Sequence, residues 1–123
     1  MTSAVLHMLH PLECSVGALG VTVRNGPKWA DFVKPGDKII LCVCTRDPNF
    51  EPPTGDTHEH AGTAEVVSAD IYMFRDVPAR LIELEHEVSS RMYSGLYNSM
   101  KRAYGPSFRQ TDIVTVLTYR RLT

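Results

Sequence analysis

The sequence predicts an α+β fold: a small, strongly bent sheet or barrel of five or six strands with two or three helices packed outside it. Three observations lead there. The chain has 123 residues, enough for one domain spanning 1–123 and too few for two comfortable ones. Short apolar segments, some alternating with period two, recur along it and are punctuated by Gly, Pro, Asn and Asp. Sustained helical spacing is confined to one stretch, after Asp76.

Taken in order, Ala4 to Leu9 is a first strand, with β-branched Val5 inside an apolar run. Leu12 to Leu19 reads as a short helix closed by Gly20. Val21-Thr22-Val23-Arg24 alternates, which puts Thr22 and Arg24 on one face of a strand and the two valines on the other. Asn25-Gly26-Pro27 breaks that strand, Trp29 to Val33 makes one helical turn, and Lys34-Pro35-Gly36-Asp37 is a turn. Lys38 to Thr45 is apolar on both faces and predicts a central strand. Arg46 to His60, with three prolines and a glycine, is one long loop, expected to be mobile and to flank a functional cleft. Gly62 to Met73 returns as a strand with a bulge near Ser68. Asp76 caps a helix with Pro78 in its first turn and Leu81, Leu84 and Val88 as its apolar stripe; His86 falls on its exposed side. A second helix covers Ser90 to Tyr104, with Met92, Leu96, Met100 and Ala103 at helical spacing, and Gly105-Pro106 stops it. Asp112 to Arg120 is the last strand.

Composition narrows the class. With 43% hydrophobic and 22% charged residues the chain is of ordinary globular type. No apolar run approaches the ~20 residues that span a bilayer, and Met1 to Pro11 lacks the basic start of a signal peptide. Three cysteines, an odd number, speak against a disulfide framework and for a reducing compartment, the cytoplasm. The formal charge of −1 conceals a polarised chain. Residues 1–45 carry four basic and three acidic side chains, 46–90 three and ten, and 91–123 six and one.

The order of these segments resembles a known family. An apolar start, Val21-Thr22-Val23-Arg24, then Lys34-Pro35-Gly36-Asp37-Lys38-Ile39, then Gly62-Thr63-Ala64-Glu65-Val66, an acidic helix, a Tyr104-Gly105 helix end and Asp112-Ile113-Val114-Thr115-Val116 is similar to the ASCH domains, which are PUA-like β-barrels. The resemblance covers roughly residues 4–121. It implies a mixed PUA-like barrel that binds RNA or a ribonucleotide in a cleft lined by the Thr-x-Arg strand. Some similar small proteins are acetylcytidine amidohydrolases using a Lys, a Thr and a Glu. Thr22 matches the Thr, whereas Leu19 stands at the Lys position and Ser89 or Ser90 at the Glu position. A hydrolase acting on RNA or a modified nucleoside would therefore recruit Lys28 with Glu85 or Glu87 beside Thr22. Whether the chain is an enzyme stays open.

The candidate nucleic-acid contacts are Thr22, Arg24, Asn25, Lys28 and Trp29, then Arg91, Lys101, Tyr104, Arg109 and Arg120 of the basic end. An arginine fork and a hydroxyl suit a phosphate oxygen or base edge, and an indole beside cations suits an unpaired base. Trp29 also fits a plug at the barrel end, and Lys101 with Arg102 fits a helix C-terminus without any ligand. Cys42-x-Cys44 and His58-x-His60 hold the ligand types of a tetrahedral zinc site, but cysteines in an apolar strand behave as small hydrophobes, so no metal and no cofactor are expected. A protein-interaction module using the acidic Arg46–Glu87 half is a third reading. No phosphate-binding Gly loop, dinucleotide motif or Gly-x-Ser-x-Gly is present.

Overall fold

The computed structural model describes residues 4–8, 15–44 and 58–123. They form a single mixed sheet with three helices. Its strands are β1 (Ala4–Met8), β2 (Leu19–Asn25), β3 (Lys38–Cys44), β4 (His58–Met73) and β5 (Ile113–Arg121), in the order β1-β3-β4-β5-β2. The four strands β3-β4-β5-β2 are antiparallel and curl into a half-barrel, while β1 adds parallel to the edge of β3. The helices are α1 (Trp29–Phe32), α2 (Ala79–Ile82) and α3 (Tyr93–Tyr104). None of them is long and apolar enough to cross a membrane.

The curl follows from the 16-residue β4, which pairs with β3 through His58–Glu65 and with β5 through Ala64–Met73. Its register shifts between Val66 and Ser68, where the sequence suggested a bulge, and again opposite Leu41 and Cys42. Bulges add local twist and bend a strand.

Over β2 and β5 the sheet is covered on both sides. On one face Val21, Val23, Val114 and Val116 pack with Phe74, Val77, Leu81, Ile82, Leu96, Met100 and Phe108. This places α2 and α3 over β2 and β5 and fits the alternation read in β2. On the other face Ile39, Leu41, Ala64, Val66, Leu117 and Tyr119 surround Val33, with Trp29 half-buried beside them. α1 therefore crosses the face to which Thr22 and Arg24 turn. The Lys34–Asp37 turn ends that crossing: Asp37 N–H donates to the Lys34 carbonyl and Lys34 N–H to the Asp37 carboxylate. β5 is buried continuously from Val114 to Tyr119, because helices cover one of its faces and α1 with the curled sheet covers the other.

Four readings need correction. Gly20 ends no helix; residues 16–18 form a turn and Gly20 lies within β2, while 12–14 fall outside the described residues. A Cβ at Gly20 would come 2.6 Å from Cζ of the fully buried Tyr119, so the glycine leaves room for that ring. Asp76 caps no helix either: it lies in a 3-10 turn (Phe74–Asp76), and α2 starts after Pro78 and lasts one turn. The chain then straightens because Val21 N–H donates to the Leu84 carbonyl and His86 N–H to the Val21 carbonyl, which docks 84–86 on the edge of β2. His86 is accordingly buried rather than displayed on a helix, and Val88 is exposed. The second helix begins at Tyr93, after a 3-10 turn at Val88–Ser90, and leaves Met92 exposed. Finally, where its side chains are described, Lys38–Cys42, β3 buries one face fully: Ile39 and Leu41 are 1% and 0% exposed, whereas Ile40 and Cys42 are half-buried.

Candidate functional site

Cross-strand register arranges the α1 face in rows. Ile71, Thr115 and Arg24 form one row, Ala69, Leu117 and Thr22 the next, and Val66, Tyr119 and Gly20 the third. The lower two rows are core: Thr22 is 2% exposed and Leu117 and Tyr119 less. The first row opens to solvent, with Ile71 50% exposed and Arg24 half-buried. Thr22 thus belongs to the floor rather than to a contact surface.

Arg24 is the residue around which the rim is built. Its guanidinium carbon lies 5.8 Å from the centroid of the Trp29 ring, within cation–π range. Phe32 meets Trp29 edge-on, with centroids 6.0 Å apart, and is 68% exposed. Lys28 precedes Trp29 directly and is exposed, as is Asn25 at the end of β2. The rim therefore offers an indole, an exposed phenyl ring and two cations, with Asn25 at the same sheet end but turned, like Val23, to the other face. Aromatic rings beside cations have the chemistry to stack a planar ring and to meet an anion.

The turn that carries this set is held from below. The Thr115 hydroxyl, fully buried, donates to the Gly26 carbonyl at 2.7 Å, and Gly26 N–H donates to the Ile113 carbonyl. Gly26 has φ +84°, a left-handed conformation that glycine adopts without strain. Thr115→Val keeps the shape of the side chain and strands the Gly26 carbonyl. We expect it to cost about 1–3 kcal/mol in a urea melt and to speed amide exchange at Gly26, with Thr115→Ser restoring both.

The basic end of the chain is divided. Arg109 lies in the connection leading into β5, where its N–H donates to the Asp112 carboxylate. Asp112 is followed by Ile113, which bonds to Gly26, so Arg109 shares the sheet end of Asn25 and Lys28. Arg75 joins it there, its N–H donating to the Gln110 carbonyl. Lys101 sits 4.7 Å above the Tyr97 ring, and Tyr104 is partly exposed on the last turn of α3, which runs into the same connection. Arg120 lies five residues beyond Thr115 along β5, about 17 Å away at ~3.4 Å per residue. There it donates to the Gly17 carbonyl and faces Glu65 in the register. Arg91 donates through Nε to the Glu85 carbonyl and braces the 84–86 segment. Of the sequence candidates, the structure brings Arg24, Asn25, Lys28, Trp29 and Arg109 to one end and sets Arg91 and Arg120 elsewhere. Phe32, Ile71, Arg75 and Thr115 complete that end without having been singled out. Only Phe32 had a signal, its i, i+3 spacing from Trp29.

The hydrolytic trio is not assembled as one site. Glu85 forms a bridge with Val21, next to Thr22, but both side chains are 2% exposed, and the Glu85 carboxylate contacts the His86 imidazole. Lys28 stands outside, past the other end of β2. Among residues whose side chains are described, no group of three or more His, Cys, Asp or Glu could hold a metal. Cys42 is a free thiol. Of the long loop, 46–57 lies outside the described residues, while His58–His60 opens β4. Comparison with family models, with curated proteins and with solved structures finds no match to the chain.

Proposed function

We propose that the protein binds single-stranded RNA, or a ribonucleotide, at the Arg24–Trp29–Phe32 rim, as an ASCH module of PUA-like type. The observation that carries the reading is the solvent exposure of Phe32, 68%, beside an indole already paired with a cation. A large apolar ring left in water next to Lys28 and Arg24 has no role in the core and suits a base that brings its own phosphate. The curled antiparallel sheet with three helices is compatible with the PUA-like resemblance, and the Thr-x-Arg strand lies beside the rim. The free thiol of Cys42 suits a reducing compartment such as the cytoplasm.

Trp29 is the single tryptophan of the chain and reports on its own site. Adding a single-stranded oligoribonucleotide should quench its fluorescence saturably, and a duplex of the same length should do so far less. Emission unchanged by the single strand would overturn the proposal.

A further inference from the structure

We propose that the cleft between α2 and the start of α3 binds a free α-amino acid with an apolar side chain. The cleft measures about 280 Å³, and its walls include Val77, Ile82, Glu83, Arg91, Met92 and Tyr93. It lies on the helix side of the sheet, away from the α1 face that carries the Arg24–Trp29–Phe32 rim. Its size is just under the ~300–1,000 Å³ of sites for drug-sized ligands, which suits one small metabolite.

The floor is apolar and fixed. Val77 and Ile82 are 6% and 3% exposed and belong to the core under the helices, and the Tyr93 ring packs 5.2 Å from that of Phe74. Met92, 64% exposed, adds a flexible and polarisable wall that can close over an apolar guest.

The charges select the ligand. Glu83 follows α2 directly, and Arg91 follows the Val88–Ser90 turn. Arg91 Nε donates to the Glu85 carbonyl at 2.8 Å, which anchors the guanidinium beside the segment that Glu83 begins. Among the described residues Arg91 and Glu83 form no ion pair with each other, so one cleft presents a cation and an anion that are not in contact. A carboxylate alone would meet the wrong charge at Glu83, and an amine alone would meet it at Arg91. A zwitterion answers both. Its carboxylate accepts from the Arg91 guanidinium, its ammonium donates to the Glu83 carboxylate, and its side chain lies on the apolar floor.

Two further features favour the carboxylate on the Arg91 side. α3 starts at Tyr93 with no side-chain cap from Met92, so the positive end of a 12-residue helix lies in the wall. The Tyr93 hydroxyl, buried without a hydrogen-bond partner among the described residues, is a donor that a carboxylate would satisfy.

The test titrates the isotope-labelled full chain with L-leucine, N-acetyl-L-leucine and L-leucinamide and follows the backbone amide signals. L-leucine should give saturable shifts at Ile82, Arg91, Met92 and Tyr93. Each derivative lacks one of the two charges and should bind about tenfold more weakly or worse. Glu83→Lys, at an exposed position, should remove the advantage of L-leucine over N-acetyl-L-leucine. No shift in the cleft at up to about 10 mM L-leucine would overturn the proposal. So would derivatives that bind as well as the amino acid, or a folded Glu83→Lys chain that keeps the wild-type preference.

Discussion

Replacing Phe74 by alanine should lower the unfolding free energy by about 3–5 kcal/mol, the range for removing a fully buried aromatic side chain. Phe74 is 0% exposed and is the centre of an aromatic cluster. Its ring centroid lies 5.2 Å from that of Tyr93, 5.7 Å from Tyr97 and 5.3 Å from Phe108, the last in a T-shaped pair. Phe74 N–H also donates to the Asp112 carbonyl. The residue therefore joins the end of β4, the face of α3 and the connection into β5. Its neighbour Tyr93 has a buried hydroxyl with no hydrogen-bond partner among the described residues, and burial, with help from Tyr97, raises its pKa above 10.0. A urea melt with unchanged m-value measures the loss. The exposed Phe32→Ala is the control and should shift stability by no more than about 0.5 kcal/mol. A loss below about 1 kcal/mol for Phe74→Ala would mean that the cluster does not hold α3 to the sheet.

Gly95→Ala should cost about 3 kcal/mol or more, although alanine is the better helix former by ~1 kcal/mol. A Cβ at Gly95 would sit 1.9 Å from the carbonyl oxygen of Ser89, a backbone atom with no rotamer to escape by. The contact is reinforced on both sides. Ser99 donates to the Gly95 carbonyl, and the Ser90 and Ser99 hydroxyls lie 2.7 Å apart. Ser90 is 1% exposed and its hydroxyl also lies 3.1 Å from the Glu87 carboxylate, so the two serine protons are shared among three contacts. Alanine must therefore push the Val88–Ser90 turn off α3 and break a small polar network. Thermal unfolding of Gly95→Ala beside Ser94→Ala, at an exposed neighbour, separates close packing from helix propensity. If the two variants melt alike, α3 does not seat against that turn.

These effects also show which parts of the fold are legible in the sequence. The alternation of Val21-Thr22-Val23-Arg24, the Lys34–Asp37 turn and the Gly105 stop depend on neighbours in the chain, and each is found where the pattern puts it. Gly20 could not be read, because its cause is the ring of Tyr119, which arrives from the far end of the chain. The same holds for Leu84–His86. Their spacing favours a helix, but hydrogen bonds to Val21 repay an extended path and bury His86. At the rim, Arg24 and Trp29 were visible as a cation followed by an aromatic. Thr115 was not, since its partner Gly26 is 89 residues away. The basic end looked like one group because charge counting ignores direction along a strand, and β5 carries Arg120 away from the end where it starts.

The proposed RNA site is the rim of the α1 face and not the basic end as a whole. Fluorescence anisotropy of a labelled single-stranded RNA across a salt series tests it most directly. The wild type should bind with a log–log salt slope of about −0.7 per phosphate contact, and Lys28→Ala should flatten it by about one such unit. Phe32→Ala should weaken binding by the ~1–3 kcal/mol of one stacked base. Arg120→Ala, at the opposite end of β5, should bind like the wild type. Salt-independent binding, or an Arg120→Ala loss as large as that of Phe32→Ala, would rule out the rim as the binding site.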